Sequence, residues 1–401
     1  MTITAHSLFA SPNALTPHYS RFRVAERLLL TGHSHQAWPD VGFAAQQQAW
    51  LDAAELVDDK WDRAFAMADR VRAGFGRLLE NPGGDIALGV NTHELVARFL
   101  SALPLAKRPR LVTTDGEFHT VRRQLDRLSE EGIEVVRVPA RPVNLLAERL
   151  ARMVTDRTAA VLVSAVLYEN AHIVPHLEVA LQACRRFGAE LLVDAYHALN
   201  VVPFSLVSER LEGAYVVGGG YKYCQLGEGN AFLRVPPDCA LRPVITGWYS
   251  EFALLSSPPV SGPVPYGPGP ARFAGATYDP TSHYRAAAVF DFFEQQGLAP
   301  RLLREVSQHQ VRLLAQEFDR LDLDRTVITR DRRSVPLEAT GGFLAFYAPR
   351  AGEISQALRQ RGVWTDYRGD TLRLGPAPYL SDAQLRDAVA RLEEVVAAVG
   401  R

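Results

Sequence analysis

An α/β fold with a mostly parallel central sheet is the class this sequence predicts, and two features carry the prediction. Short runs rich in leucine or β-branched residues alternate with stretches of helical spacing, and those runs are mostly apolar, without a polar face. Parallel strands need long crossovers, usually helices, and are buried on both sides. The candidate strands are, in order, RLVTTD (110–115), EVVRVPA (134–140), AAVLVSAV (159–166), ELLVDA (190–195) and AYVVGG (214–219). Between the second and third, Leu145, Leu146, Leu150 and Met153 fall at helical spacing; between the third and fourth, LEVALQACRRFG ends on Gly188, which suits a helix C-cap. After about residue 240 the pattern changes. The stretch SSPPVSGPVPYGPGP (256–270) holds six prolines and three glycines, so a long irregular segment is expected there. Beyond it SHYRAAAVFDFFEQQG reads as a helix. So does SDAQLRDAVARLEEVVAAVG, with Ser381 as N-cap, Leu385, Val389, Leu392 and Val396 on one face, and Gly400 past the end.

Composition narrows the function classes. The 401 residues carry 44 Lys+Arg against 45 Asp+Glu, a formal charge of -1 that gives no global field for a nucleic-acid backbone or an acidic membrane. The basic run TRDRRS (329–334) is mixed in sign and reads as a solvated loop. Three cysteines, Cys184, Cys224 and Cys239, form neither a disulfide framework nor a C-x-x-C metal spacing, which points to a reducing compartment. The amino terminus lacks the order of a secretory signal and no stretch approaches 18 continuous apolar residues, so a cytoplasmic protein is expected. His33 and His35 make an H-x-H pair, two ligands with nothing nearby to complete a tetrahedral set, so no metal site is expected. A serine-hydrolase elbow G-x-S-x-G is absent.

In open parallel sheets, ligands collect at the carboxyl ends of strands. Ser164, Asp194 and Lys222 all stand at or just past such ends. Taken singly, each has a plainer reading: Asp194 as the cap of a following helix, Lys222 as a solvated loop lysine. Together they suit a cofactor site. A lysine amine condenses with carbonyls, and a carboxylate facing a pyridine nitrogen keeps that ring protonated as an electron sink. Asp194 and Lys222 lie 28 positions apart, about one β-α-β crossover. That is the requirement of a pyridoxal 5′-phosphate (PLP) enzyme.

The stretches VDAYHALNVVPFSL, GGGYKYCQLGEGNAFLRV and TDYRGDTLRLGPAPYLSD resemble class V, fold type I PLP enzymes, and within them kynureninase. The resemblance runs from about residue 25 to the end. It implies a large PLP-binding domain over 51–285, a smaller α+β domain over 286–401, and an arm over 1–50 shared with the small domain. It places Lys222 at the Schiff base, Asp194 at the pyridinium, His197 beside them as a catalytic partner, and Tyr221 at the phosphate. TTDGEFHT makes Phe118 the ring-stacking residue, and LGVNTHELVARFL makes Thr92 and His93 the phosphate-binding helix start, where backbone N–H groups favour an anion. TGWYSEF and FAGATYDP place Trp248 and Thr277 at the cofactor, Thr277 from a neighbouring subunit, which implies a homodimer with shared active sites. Arg373 would hold the substrate carboxylate by a bidentate pair, with His33 and Ser34 also at the substrate.

The departures cluster around the substrate: TGHSHQAWPD replaces a Gly-Asn-Ser-Leu-Gly motif, Val121 stands where an aspartate follows the stacking ring, and Gly89 replaces a threonine. The resemblance therefore implies a small amino-acid substrate and cleavage of a Cβ–Cγ or related side-chain bond through a quinonoid. A class V aminotransferase, a C–S lyase acting on a small amino acid, and a non-catalytic PLP-binding relative are the alternatives. A persulfide-forming desulfurase is disfavoured, because the chain has no cysteine nearer its carboxyl end than Cys239.

Overall fold

The computed structural model describes residues 3–81, 85–256, 262–330 and 335–400. Along the chain the elements are α1 (Ala5–Phe9), β1 (Leu28–Leu29), α2 (Val41–Leu56), α3 (Lys60–Leu78), β2 (Ile86–Gly89), α4 (Thr92–Ala102), β3 (Arg110–Thr114), α5 (His119–Glu130), β4 (Glu134–Val138), α6 (Leu146–Met153), β5 (Thr158–Ser164) and α7 (Leu177–Phe187). There follow β6 (Glu190–Asp194), β7 (Tyr215–Gly219), β8 (Ala231–Arg234), α8 (Thr281–Gln295), α9 (Pro300–Asp319), β9 (Leu344–Tyr347), α10 (Ala351–Gln360), β10 (Val363–Trp364), β11 (Asp366–Arg368), β12 (Thr371–Leu374) and α11 (Asp382–Val399).

Seven strands form the central sheet in the order β2-β8-β7-β6-β5-β3-β4, all parallel except β8, which runs against both its neighbours. The five candidate strands of the sequence are β3 to β7, adjacent in this sheet. Every residue of β5 and β7 is buried, as a parallel strand covered on both faces requires. Val161, Val163, Leu191 and Val193 sit in the larger of two apolar layers, while Ala160, Leu162 and Leu192 sit in the other, so successive side chains feed opposite faces. Burying each such Val or Leu contributes about 1.5–3 kcal/mol. α7 ends where Gly188 takes φ +63, the left-handed cap its position predicts. α11 opens on a capping box between Ser381 and Gln384.

A second, three-stranded antiparallel sheet, β11-β12-β9, packs with α9 and α10, and α11 packs on those two helices. The expected boundaries at 50/51 and 285/286 fall inside α2 and α8, continuous helices packed against each other. The amino-terminal arm is tied to the small sheet by the parallel pairing of β1 with β10 and by a bridge from Thr31 to Gly375. That tie carries residues 32–36 to the strand end bearing Arg373. The proline-rich segment is irregular where described, apart from a short 3-10 turn at Gly269–Phe273; its residues 257–261, and residues 331–334 of the basic run, lie outside the described residues. Among the described residues no helix is long and apolar enough to cross a membrane, and no group of three or more His, Cys, Asp or Glu side chains could hold a metal ion.

Candidate active site

Strand register brings the first two chemical groups together. Ser164 ends β5 opposite Asp194, and Asp194 ends β6 opposite Val217 of β7. β7 then runs through Gly218 and Gly219 into a tight turn in which the Gln225 N–H bonds the Lys222 carbonyl at 3.0 Å. The glycines have a packing reason: a Cβ on Gly219 would lie 2.5 Å from the Tyr196 hydroxyl. Without one, the Tyr196 ring folds over the strand end and meets Tyr221 at 4.9 Å.

Lys222 is only 7% exposed, and its Nζ lies 2.8 Å from His197 Nε2. The same amine stands 5.6 Å from the Phe118 ring, 5.5 Å from Tyr196 and 5.6 Å from Tyr221. Burial pulls its pKa down to about 7, helped by the Arg373 charge and opposed by Asp194 and Asp366. A substantial fraction of the amine is therefore unprotonated at neutral pH. His197 is driven well below its ordinary value by burial and by the Lys222 charge, so it is a neutral imidazole, and its buried Nδ1 has no partner. Asp194 accepts the Tyr196 N–H at 2.9 Å; burial raises its pKa, against the lowering effects of that bond and of Lys222.

The three-stranded sheet closes the other side. The β11–β12 hairpin sets Asp366 opposite Arg373. Arg373, 3% exposed, donates from Nη2 to Asp366 Oδ2 and from Nη1 to the Tyr168 carbonyl at 2.7 Å, leaving its buried Nε without a partner. Burial alone would raise the Asp366 carboxyl, but the His33 contact and the Arg373 charge outweigh it and hold it well below the usual carboxylate range.

The other expected site residues are placed unevenly. His33 is fully buried behind Arg373, with Nε2 3.5 Å from Asp366 Oδ2 and its ring 4.5 Å from Phe343; burial lowers its pKa to about 3. It backs the arginine's counter-ion. Ser34 donates locally to the Thr31 carbonyl at 3.2 Å, and the exposed His35 stacks on Tyr221 at 5.0 Å. Thr92 is the first residue of α4, capped by Asn91, while His93 is exposed and paired with Gln124 at 3.1 Å. Trp248, 43% exposed, packs on Tyr249 and Phe252, while Thr277 bonds Tyr249 and lines a cavity with Gly89, Val90, Glu94 and Gly229, beside the start of α4. Sequence reasoning missed Asp366, Glu117 and Tyr196. For Asp366 a signal existed, since a two-residue Gly369-Asp370 turn, with Gly369 at φ +54, fixes the pairing of Asp366 with Arg373.

The residues present suit PLP. A buried amine of lowered pKa has no carboxylate bonded to it, an acid stands at the neighbouring strand end, and a half-buried aromatic ring flanks the space.

Comparison with known proteins agrees with this architecture. Residues 303–392 match the family model of the kynureninase C-terminal domain. No curated protein matches the chain significantly by sequence. Among solved structures, a C-DES mutant with glycine covalently linked to its PLP cofactor superposes with a TM-score of 0.81 at 18% identity, covering 94% of this chain and 98% of that one. A NifS-like protein gives 0.74 at 17% identity, covering 93% and 100%. The cysteine desulfurase of Thermococcus onnurineus NA1 gives 0.77 at 16%, covering 93% and 96%. The chain thus shares the fold of these proteins, fold type I. Its carboxyl-terminal part is similar to that of kynureninase.

Proposed function

We propose that this chain is a PLP-dependent amino-acid enzyme that cleaves a Cβ–Cγ or related side-chain bond, as the resemblance to kynureninase implies. The observation that carries the reading is the convergence on one buried space of Lys222, with its lowered pKa, Asp194 at the next strand end, and Arg373 from the segment that matches the kynureninase domain. Lys222, Asp194, His197, Phe118 and Tyr221 would hold the cofactor, with Thr92 and His93 at its phosphate. When bound, PLP supplies the electron sink that lets bonds at the substrate's α-carbon break. Asp194 would face the ring nitrogen and favour its protonated form. Lys222 would bind the cofactor aldehyde and, as a free amine, act as general base at the substrate's α-carbon, a task suited to a pKa near 7. His197, neutral and 2.8 Å away, accepts a hydrogen bond from the ammonium form and so orients it. Arg373, whose buried Nε–H has no partner, would receive the substrate carboxylate.

A second copy of the chain would complete the site. Trp248, expected at the cofactor, is exposed on this chain, as are Val244, Ile245, Phe252 and Leu255, and Thr277 lines a cavity with Gly89, Val90 and Gly229. A homodimer with shared active sites accounts for both facts.

Incubation with L-kynurenine tests the reading: anthranilate and alanine in equal amounts are expected. Keto-acid formation from a panel of amino acids, with no anthranilate, would replace it by a class V aminotransferase. C–S cleavage is the other alternative, supported by the cystine C–S lyase C-DES among the similar folds. Persulfide chemistry is poorly supported by the thiols: burial drives Cys184 up to about 12 and raises Cys224, and Cys239 accepts the Tyr215 hydroxyl at 3.1 Å.

Arg373→Gln should raise the KM of an amino-acid substrate about 10- to 100-fold, the worth of a hydrogen bond to a charged group. Because the guanidinium lowers the Lys222 pKa, the acidic limb of the pH–rate profile should also move upward. Steady-state kinetics across pH measures both.

A further inference from the structure

The loop between β3 and α5 holds an acid that the reaction outlined above does not use. Glu117 is 3% exposed. It accepts the Thr114 hydroxyl at 2.7 Å on Oε1, the Ser164 N–H at 3.2 Å on Oε1, and the Ser164 hydroxyl at 2.6 Å on Oε2. The Thr114 oxygen is itself the acceptor for the Gly116 N–H, so its proton is free for the carboxylate. Such a ring of donors suits an ionised side chain, which can only accept. Yet Ser164 is the strand neighbour of Asp194, so the bonds that hold Glu117 also hold it close to a second carboxyl. Burial and the Asp194 charge together push Glu117 up to about 7, against the pull of its donors.

Two buried acids held near each other destabilise each other unless a cation faces them. Lys222 meets that need only in part, its own pKa being pulled down to about 7 by burial. We propose that Glu117 is a second carboxylate of the cofactor site, placed behind Asp194 through Ser164, which strengthens the hold on a protonated ring nitrogen. It is a positioning and charge-setting residue; Asp194 alone makes the contact. The proposal rests on the PLP reading given above.

The test compares binding of PLP and of its 1-deaza analogue, in which carbon replaces the ring nitrogen, to wild-type and Glu117→Gln apoproteins by equilibrium dialysis. Glutamine keeps the size of the side chain and most of its hydrogen bonds and removes the charge. The wild-type preference for PLP over the analogue should fall about tenfold in the variant, equivalent to one pKa unit of differential interaction, with analogue affinity unchanged. An unchanged preference would overturn the proposal. If Glu117→Gln does not fold, Ser164→Ala removes one donor and favours the neutral acid; a partial loss in the same direction is expected, and no loss again overturns it. Wild-type protein that binds neither compound would overturn the PLP reading itself. Binding with an unchanged preference in both variants would leave that reading standing and remove only Glu117 from it.

Discussion

Lys222→Ala is expected to lower turnover by at least ~10⁴-fold, the upper range for a positioned general base even before its covalent role is counted. The reason is local. Lys222 is the one side chain whose amine stands 2.8 Å from His197 and within 5.6 Å of the three rings of Phe118, Tyr196 and Tyr221. A methyl in its place leaves nothing to attack the cofactor aldehyde or to carry the α-proton. Borohydride should fix PLP on the wild-type chain and fail to do so on the variant, while the variant still binds PLP reversibly. The pH dependence has a definite sign. Burial lowers the pKa to about 7, so the free-amine fraction, and with it the rate of covalent cofactor uptake, should rise about tenfold per pH unit below that value and level off above it. Stopped-flow absorbance follows this directly. Turnover within tenfold of wild type in Lys222→Ala would remove the amine from the mechanism and with it the proposed function.

Much of the fold can be read in the sequence because its central strands bury both faces. RLVTT, TAAVLVS, ELLVD and YVVGG are mostly buried runs that a covered parallel sheet accommodates, EVVRV lies at the sheet edge with Arg137 exposed, and each is a strand. The edge strand β2 and its neighbour β8, with four residues each, are too short for periodicity to stand out, and the strands of the small sheet are shorter or only partly buried. Helix α2 escapes the pattern for another reason: Trp50 (78% exposed) and Leu51 point outward while Asp52 is buried, so its apolar residues do not mark an inner face. At the site, Asp194 and Lys222 are legible because strand ends are where open sheets place ligands. Glu117 is not, since a single acid in a loop forms no pattern, and its meaning comes from Ser164, 47 residues away. The burial of His33 behind Asp366 is equally non-local, produced by the bridge that carries the arm to Gly375.

Asp194→Asn should separate stability from catalysis. In the apoprotein, burial raises the Asp194 pKa above its unfolded value, with the Tyr196 N–H and Lys222 compensating only in part. The folded state therefore holds the carboxylate less willingly than the unfolded chain does. That contribution favours folding while the acid is protonated and is lost as pH rises through the raised pKa, so at neutral pH the charge weakens the apoprotein. Asparagine keeps an oxygen for the Tyr196 N–H and carries no charge; thermal denaturation at pH 7 should show a variant at least as stable as wild type. Activity should move the opposite way. A carboxylate about 4 Å from a ring cation, at an effective dielectric constant near 20, is worth about 4 kcal/mol, close to a 10³-fold loss of turnover when it goes. The two measurements must diverge for the reading to hold. A variant that melts lower and slows in proportion would make Asp194 a structural acid, whereas a stable protein with crippled turnover requires that the charge exist for a cation that the chain itself does not supply.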